Sequence, residues 1–351
     1  MIFNGENIKV EIRGSSHAEK IEAIINGIPK DTKIDKEFLS CFMARRAPGK
    51  NSYSTPRKEP DEVIFTKGVK DYITTGGEIA ATIYNTNTKS KDYTDNAFIP
   101  RPGHADYTGY IKYGETYDNV GGGAFSGRMT APLCIAGAIC ISLLKEMGVE
   151  IISRVYSIGN VKDRGELLFT TAKKDFPVVD DTVAPLMIKE IENAKENGDS
   201  VGGIVEVSVK NFPAGIGGPM FMGIEGKLSY ALFAIPAVKG VSFGSGFSGT
   251  KIRGSKNNDP FYVQNGKIRT KTNNSGGILG GISNGENINF KVAFKPTPSI
   301  AKEQESVNLK TMENVKFSVK GRHDPCVVVR AVPVVEAAAA IVLYDMIKGE
   351  K

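Results

Sequence analysis

The chain has only three histidines. Each stands in a glycine-containing stretch beside Ser or Arg: His17 in GSSHAE, His104 in RPGHAD and His323 in GRHDPC. Imidazole suits proton transfer near neutral pH, so the recurrence of this setting points to a reaction that moves protons. The arginines around them stand singly in Gly- and Pro-rich stretches, at Arg46, Arg101, Arg128 and Arg322. A guanidinium makes planar, bidentate contacts to carboxylate and phosphate, so this pattern predicts a pocket for one discrete polyanion. His323 and Asp324 are adjacent, yet neighbours in an extended segment point to opposite faces. Arg322 and Asp324 would then face the site together, with His323 turned away.

Two further motifs carry weaker signals. Gly121-Gly122-Gly123 matches neither GxxxxGK[ST] nor a GxGxxG that follows a strand, although it could present backbone N–H groups to an anion or a flavin ring. KPTPSI, residues 295–300, reads as a tight turn or as a phosphate or flavin clamp. Around Ser245 and Ser248 the stretch GSGFSG lacks the spacing and apolar flanks of the nucleophile elbow GxSxG, which argues against a Ser-His-Asp hydrolase. Cys41, Cys134, Cys140 and Cys326 show no CxxC spacing and are expected to be buried free thiols in a reducing compartment. No metal-ligand cluster is visible in the sequence.

Elements must position these residues. Ile8, Val10 and Ile12 alternate with charged neighbours as a half-buried strand, and Asp35 caps a short helix running to Arg45. Strand-like segments follow near Glu62–Phe65 and Ile79–Tyr84. Thr130 and Pro132 open an apolar helix that stops at Gly148. Val183–Asn197 forms an amphipathic helix, Gly203–Lys210 a strand, and Pro333–Lys348 a last helix whose EAAAA run permits close packing. Between them lie long polar loops at about 44–60, 96–128, 240–285 and 295–325. Loops of such length in a compact domain are usually functional.

Composition sets the outer limits. With 351 residues, 40% hydrophobic and 24% charged, the chain has the make-up of a soluble globular protein. The N-terminal MIFNGENIKVEIRG has no apolar h-region, so no secretory signal is expected. The apolar run Cys134–Leu144 is too short to cross a bilayer. The net charge of +6 is mild, and basic residues are not interleaved with aromatics as nucleic-acid binding favours. Neither nucleic acid nor membrane is an expected partner.

Taken in order, the stretches ARRAPGKNSYSTPRKEPDEV (44–63), NTNTKSKDY (85–93), RPGHADYTGYIKYG (101–114), GGGAFSGRMTA (121–131), PAVKGVSFGSGF (236–247), NNSGGILGGISNG (273–285), KPTPSI (295–300) and GRHDPCVVVRAVPVVEA (321–337) resemble chorismate synthase. The resemblance runs from His17 to about Glu336. It implies a single α/β (α+β) domain, a β-α-β sandwich with antiparallel sheets between helix layers, assembled as a homotetramer in the cytoplasm. It also implies a lyase of the shikimate pathway of aromatic amino-acid biosynthesis. Such a lyase converts 5-enolpyruvylshikimate 3-phosphate to chorismate by anti-1,4-elimination of phosphate and requires reduced FMN. No reductase domain is visible, so the reduced flavin is expected from an external flavin reductase or another NADPH-dependent supply.

Carried over by motif, the resemblance implies that His17 protonates the flavin and His104 assists the departing phosphate. Asp324 would act with flavin N5 on the ring proton. Ser16, Arg46, Arg101, Ser126, Arg128 and Arg322 would hold the substrate. The FMN site would be lined by Ser126, Ala237, Gly280, Lys295, Pro296, Thr297, Ser299 and Arg322. The chain departs from the family where GESHG becomes GSSHA, with Ser15 and Ala18. It also has Ser52 where many members have arginine. Val120 and Ala124 stand where two arginines are usual, and Pro236 replaces an asparagine. These losses predict weaker flavin binding rather than a changed reaction. The competing reading is a divergent paralogue that binds flavin or an anion without turnover.

Overall fold

A computed structural model of the chain describes residues 1–49, 51, 53–55, 57–86, 98–117, 120–319 and 324–349. Two antiparallel five-stranded sheets dominate it. The first runs in the spatial order Ile2–Asn4, Lys9–Arg13, Lys20–Asn26, Ile79–Tyr84, Ile64–Lys67. The second has the order Val238–Phe243, Ile288–Phe294, Gly203–Lys210, Glu150–Ile158, Val161–Lys162. Alternation drives the pairing: in Ile288–Phe294 every second residue, Ile288, Phe290, Val292 and Phe294, is buried, as one core-facing side of a strand requires.

The helices are α1 (Lys36–Arg46), α2 (Asp106–Tyr113), α3 (Thr130–Glu146), α4 (Ala184–Glu196), α5 (Ile224–Phe233), the single turn α6 (Gly254–Asn257) and α7 (Val328–Gly349). Asp35 caps α1 as expected, its carboxylate accepting from the Phe38 N–H at 2.9 Å. Helices α3 and α7 pack along each other at the centre. α3 faces the first sheet and α7 the second, so the central layers run sheet, helix, sheet. That enclosure explains why 17 of the 22 residues of α7 are buried; a helix buried all round is apolar all round. A Cβ added at Gly137 would stand 2.2 Å from the Cβ of Ala337. The alanine run therefore permits the close approach its composition suggests.

Three sequence expectations need correction. Helix α7 begins at Val328, not Pro333. Burial of Val328, Ala331 and Val332 outweighs the backbone hydrogen bond that Pro333 cannot make. The stretches 240–285, 96–128 and 295–325 are not wholly loop: the first contains the hairpin Phe261–Gln264/Lys267–Thr270 and the short pair Ile278–Leu279/Ile282–Ser283, the second holds α2, and the third holds the hairpin Gln304–Asn308/Glu313–Phe317. Asn265 and Gly266, both at positive φ (50° and 71°), form the first turn, which an Asn-Gly pair signals. Cys41 is exposed, while Cys134, Cys140 and Cys326 are buried free thiols.

Candidate active site

A cavity of about 910 Å³ opens beside α3 and α7, at the upper end of the range for small-molecule sites. Ser16, His17, Arg46, Arg101, His104, Ser126, Arg128, Ala237, Lys295, Thr297, Ser299 and Asp324 line it. These residues come from most of the length of the chain, and the fold brings them to one place. Arg322 and His323 lie outside the described residues, as does Ser52. Pro296 does not line the cavity; its nitrogen sits against Gly202, where an added Cβ would be 3.0 Å away. Gly280 sits apart, at the open turn between Leu279 and Ile282, with φ 61° and nothing near its missing side chain.

The glycine run has a steric role that sequence reasoning missed. Gly121, Gly122 and Gly123 all have positive φ, at 60°, 89° and 51°, a region L side chains avoid. A Cβ at Gly121 would fall 2.0 Å from His17 Cε1, and one at Gly122 would fall 3.3 Å from His104 Nε2. The bare backbone therefore lets both imidazole rings approach the same segment. Ser16 is fixed alongside, its N–H donating to the Gly123 carbonyl at 3.2 Å.

Among the described residues, each site arginine is held by a buried or largely buried carboxylate. Arg46, at the end of α1, donates from Nη1 to Asp61 Oδ2 at 2.6 Å and from Nη2 to the Gly127 carbonyl at 3.0 Å. Arg128 donates to the other oxygen of Asp61 and, through Nε, to Asn85 Oδ1 at 2.8 Å. Asp61 has no exposed side-chain surface. Burial pushes the Arg46 guanidinium below its ordinary range, partly offset by Asp61. Arg57 pairs with Glu59 and also donates to the Ser16 carbonyl at 3.4 Å. Arg330, on α7, clamps Asp324 Oδ2 and donates to the Arg46 carbonyl at 3.4 Å.

A second cluster joins the histidine loop to the 295–299 stretch. Arg101 donates through Nε and Nη2 to Asp106 Oδ2 and Oδ1 at 2.6 and 2.7 Å, and through Nη1 to Ser299 Oγ at 3.1 Å. His104 Nδ1 lies 2.7 Å from Asp106 Oδ1. Burial alone would raise the Asp106 carboxyl, but hydrogen bonds from Arg101 and His104 outweigh it and hold the group well below the usual carboxylate range. Lys295 donates to the Gly103 carbonyl; burial, aided by Lys239, lowers its ammonium. Ala237 holds φ 72° while its carbonyl accepts from the Lys295 N–H at 3.0 Å. Thr297 Oγ1 donates to the Asp324 carbonyl at 2.7 Å.

The cavity thus offers guanidinium donors, two imidazoles and a carboxylate within apolar walls that include Leu133, Val334 and Ile341. Three buried polar atoms on its lining residues, Arg128 Nη2, Asp324 Oδ1 and Arg330 Nε, have no hydrogen-bond partner among the described residues. Buried groups of this kind await a ligand or water. That donor set, and the size of the cavity, fit an anionic substrate together with a flavin phosphate. Asp61, Asp106, Glu59 and Arg330 were not anticipated from sequence. Asp106 alone carried a signal, lying two residues beyond His104.

Comparison with known proteins agrees with this chemistry. A family model described as chorismate synthase matches residues 8–347. A chorismate synthase of Dehalococcoides mccartyi is 42% identical over 346 residues, covering 97% of this chain and 95% of the relative. One from Archaeoglobus fulgidus is 44% identical over 345 residues, covering 97% and 95%. A solved structure titled "Crystal Structure of Chorismate Synthase" superposes with a TM-score of 0.76 at 28% identity, covering 98% of this chain and 92% of that one. On the match across residues 8–347 and these identities, the chain belongs to the chorismate synthase family.

Proposed function

We propose that this lyase binds 5-enolpyruvylshikimate 3-phosphate and reduced FMN together in the 910 Å³ cavity and eliminates phosphate to give chorismate. The observation that carries the reading is the convergence of His17, His104, Asp324 and three carboxylate-held arginines on one cavity. In the reaction the ring C–O bond to phosphate breaks, a ring proton leaves from the opposite face, and a new double bond forms with no net redox change. Bound reduced FMN supplies transient electron density to that step.

The chain's own groups do the rest. Arg46, Arg101 and Arg128 hold the anions with donors fixed in advance, so little reorganisation remains when charge develops on the leaving group. His104 presents Nε2 on the Gly122 side of the cavity and gives a proton to the departing phosphate. Asp324, with Oδ1 unpartnered, receives the ring proton. His17 stands over Gly121 to protonate the cofactor. Lys295, Thr297 and Ser299 would hold the flavin with Ser126 and Ala237. Ala124, which lines the cavity without a charge, supports the expectation of modest flavin affinity. The reduced cofactor would come from an external flavin reductase or another NADPH-dependent supply.

A homotetrameric, cytoplasmic protein completes the proposal. The consecutive apolar side chains Met220, Phe221 and Met222, at 82%, 86% and 48% exposure, support subunit contact, since contiguous exposed apolar surface marks interaction sites.

The test is anaerobic incubation of the protein with reduced FMN and substrate, followed through phosphate and chorismate. Equal release of both is expected. Binding of both ligands without chorismate would establish the non-catalytic paralogue instead. His104→Ala should slow phosphate loss about 10²- to 10⁴-fold, the usual share of a general acid; an unchanged rate removes His104 from the step.

A further inference from the structure

The geometry points to Asp106 as a positioning residue that sets the tautomer of His104 and the orientation of Arg101 with one carboxylate. The inference rests on the functional reading above only for its activity arm; the tautomer itself is a property of the resting protein.

Four donors converge on Asp106. The Arg101 backbone N–H and Nε reach Oδ2 at 3.0 and 2.6 Å, while Arg101 Nη2 and His104 Nδ1 reach Oδ1, each at 2.7 Å. An ionised carboxylate only accepts, and about four bonds exhaust its lone pairs. The side chain is 7% exposed, and its carboxyl is held well below the usual range, so it stands ionised and fully used.

The consequence for His104 is direct. An atom 2.7 Å from a carboxylate oxygen must supply the hydrogen itself, so Nδ1 carries the proton. Arg101 Nη2 is also near Nδ1, at 3.1 Å. A guanidinium has no acceptor, and two N–H groups cannot bond to each other; they share Oδ1 instead. With Nδ1 committed to Asp106, Nε2 is the nitrogen left to exchange a proton with whatever occupies the cavity beside Gly122.

The same carboxylate aims Arg101. Two of the guanidinium's five N–H groups are pinned to Asp106, and a third donates to Ser299 Oγ. That leaves a fixed edge of the fork for an anion. Proton donor and anion clamp are therefore locked to one another, and a shift of one moves the other.

Asp106→Asn tests this. The amide oxygen stays where Arg101 N and Nε both need an acceptor, which puts the amide nitrogen against His104 Nδ1. The imidazole must then accept there and carry its proton on Nε2. Solid-state ¹⁵N spectra of protein labelled at histidine read the ring nitrogens directly, and three residues keep the spectrum assignable through loss of a signal in His104→Gln. Measured near about pH 8.5, above the ordinary imidazole range, the wild-type spectrum should show His104 protonated at Nδ1. In Asp106→Asn it should show Nδ1 bare and Nε2 protonated. The variant should also lose about 10²- to 10⁴-fold in kcat, because an amide does not stabilise the imidazolium, protonated on both nitrogens, from which Nε2 gives its proton, with KM raised through Arg101.

A bare Nδ1 in the wild type overturns the inference even if the variant fails to fold. An Asp106→Asn spectrum with Nδ1 still protonated overturns it as well, since a merely structural role would lower stability without switching nitrogens. If the wild type shows no turnover, the functional reading fails while the nitrogen spectrum still decides the tautomer.

Discussion

Asp61 accepts from Arg46 and Arg128 on its two oxygens while wholly enclosed. Removing the charge leaves two guanidiniums buried side by side, and breaking a buried pair of this kind typically costs about 3–5 kcal/mol. Asp61→Asn should therefore weaken substrate binding and lower the denaturation midpoint together. A variant that retains wild-type substrate affinity would show that the two arginines hold their places without it. Residues of this sort explain the uneven legibility of the site. His17, His104 and the arginines were visible because their types suit proton transfer and anion binding wherever they stand. Asp61 lies 67 positions from Arg128, and nothing in EPDEV says which cation it will meet. Arg330 and Glu59 were hidden for the same reason. Arg322, read from sequence as a site residue, falls outside the described residues.

At the level of elements, the central contact is between α3 and α7. Gly137 has no left-handed φ to defend, and alanine there would gain about 1 kcal/mol in helix propensity. Its Cβ would nevertheless meet Ala337 Cβ at 2.2 Å, and overpacking of a close-packed core costs about 1–3 kcal/mol. Gly137→Ala should therefore lower the urea midpoint; a stabilised variant would mean the helices separate at little cost. Sequence periodicity located α3, α4 and four strands, Lys9–Arg13, Ile64–Lys67, Ile79–Tyr84 and Gly203–Lys210, because burial on one face imposes it, but it missed others such as Glu150–Ile158 and Ile288–Phe294. It misplaced the start of α7 because Pro333 reads as a first-turn residue while packing of Val328 and Val332 extends the helix backward. The frequent glycines of 240–285 concealed two hairpins, although Asn265-Gly266 and Gly280-Gly281 were each a turn signal.

For the whole molecule, the buried carboxylates fix how it responds to acid. Asp106 and Glu59 are both held below their ordinary values, burial opposing the effect and donors from Arg101 and His104, or from Thr86 and Arg57, outweighing it. A depressed carboxyl binds its proton more readily in the unfolded chain. The stability it contributes is complete above the unfolded value, about 4, and is lost as pH falls toward the folded value. Urea midpoints should hold between about pH 5 and 8 and drop below about pH 4, with the self-repulsion of a chain already at +6 adding to the loss. A midpoint unchanged down to about pH 3 would contradict the depressed values.

The central place of α7 also governs how the chain can be made. Helix α7, which packs between α3 and the second sheet and carries Arg330 into the cavity wall, leaves the ribosome long after α3. Helix α3 ends at Glu146 and covers the first sheet soon after Tyr84 is made, yet α7, which packs along the other side of α3, begins only at Val328. At about 5–20 residues per second, that side of α3 waits roughly 10–40 s for its partner. The surface concerned, with Gly137 against Ala337 and Cys134 against Pro333 in the finished protein, is exposed throughout that interval. Synthesis and folding are consequently out of step, and the nascent chain is expected to be a client for chaperones until α7 arrives.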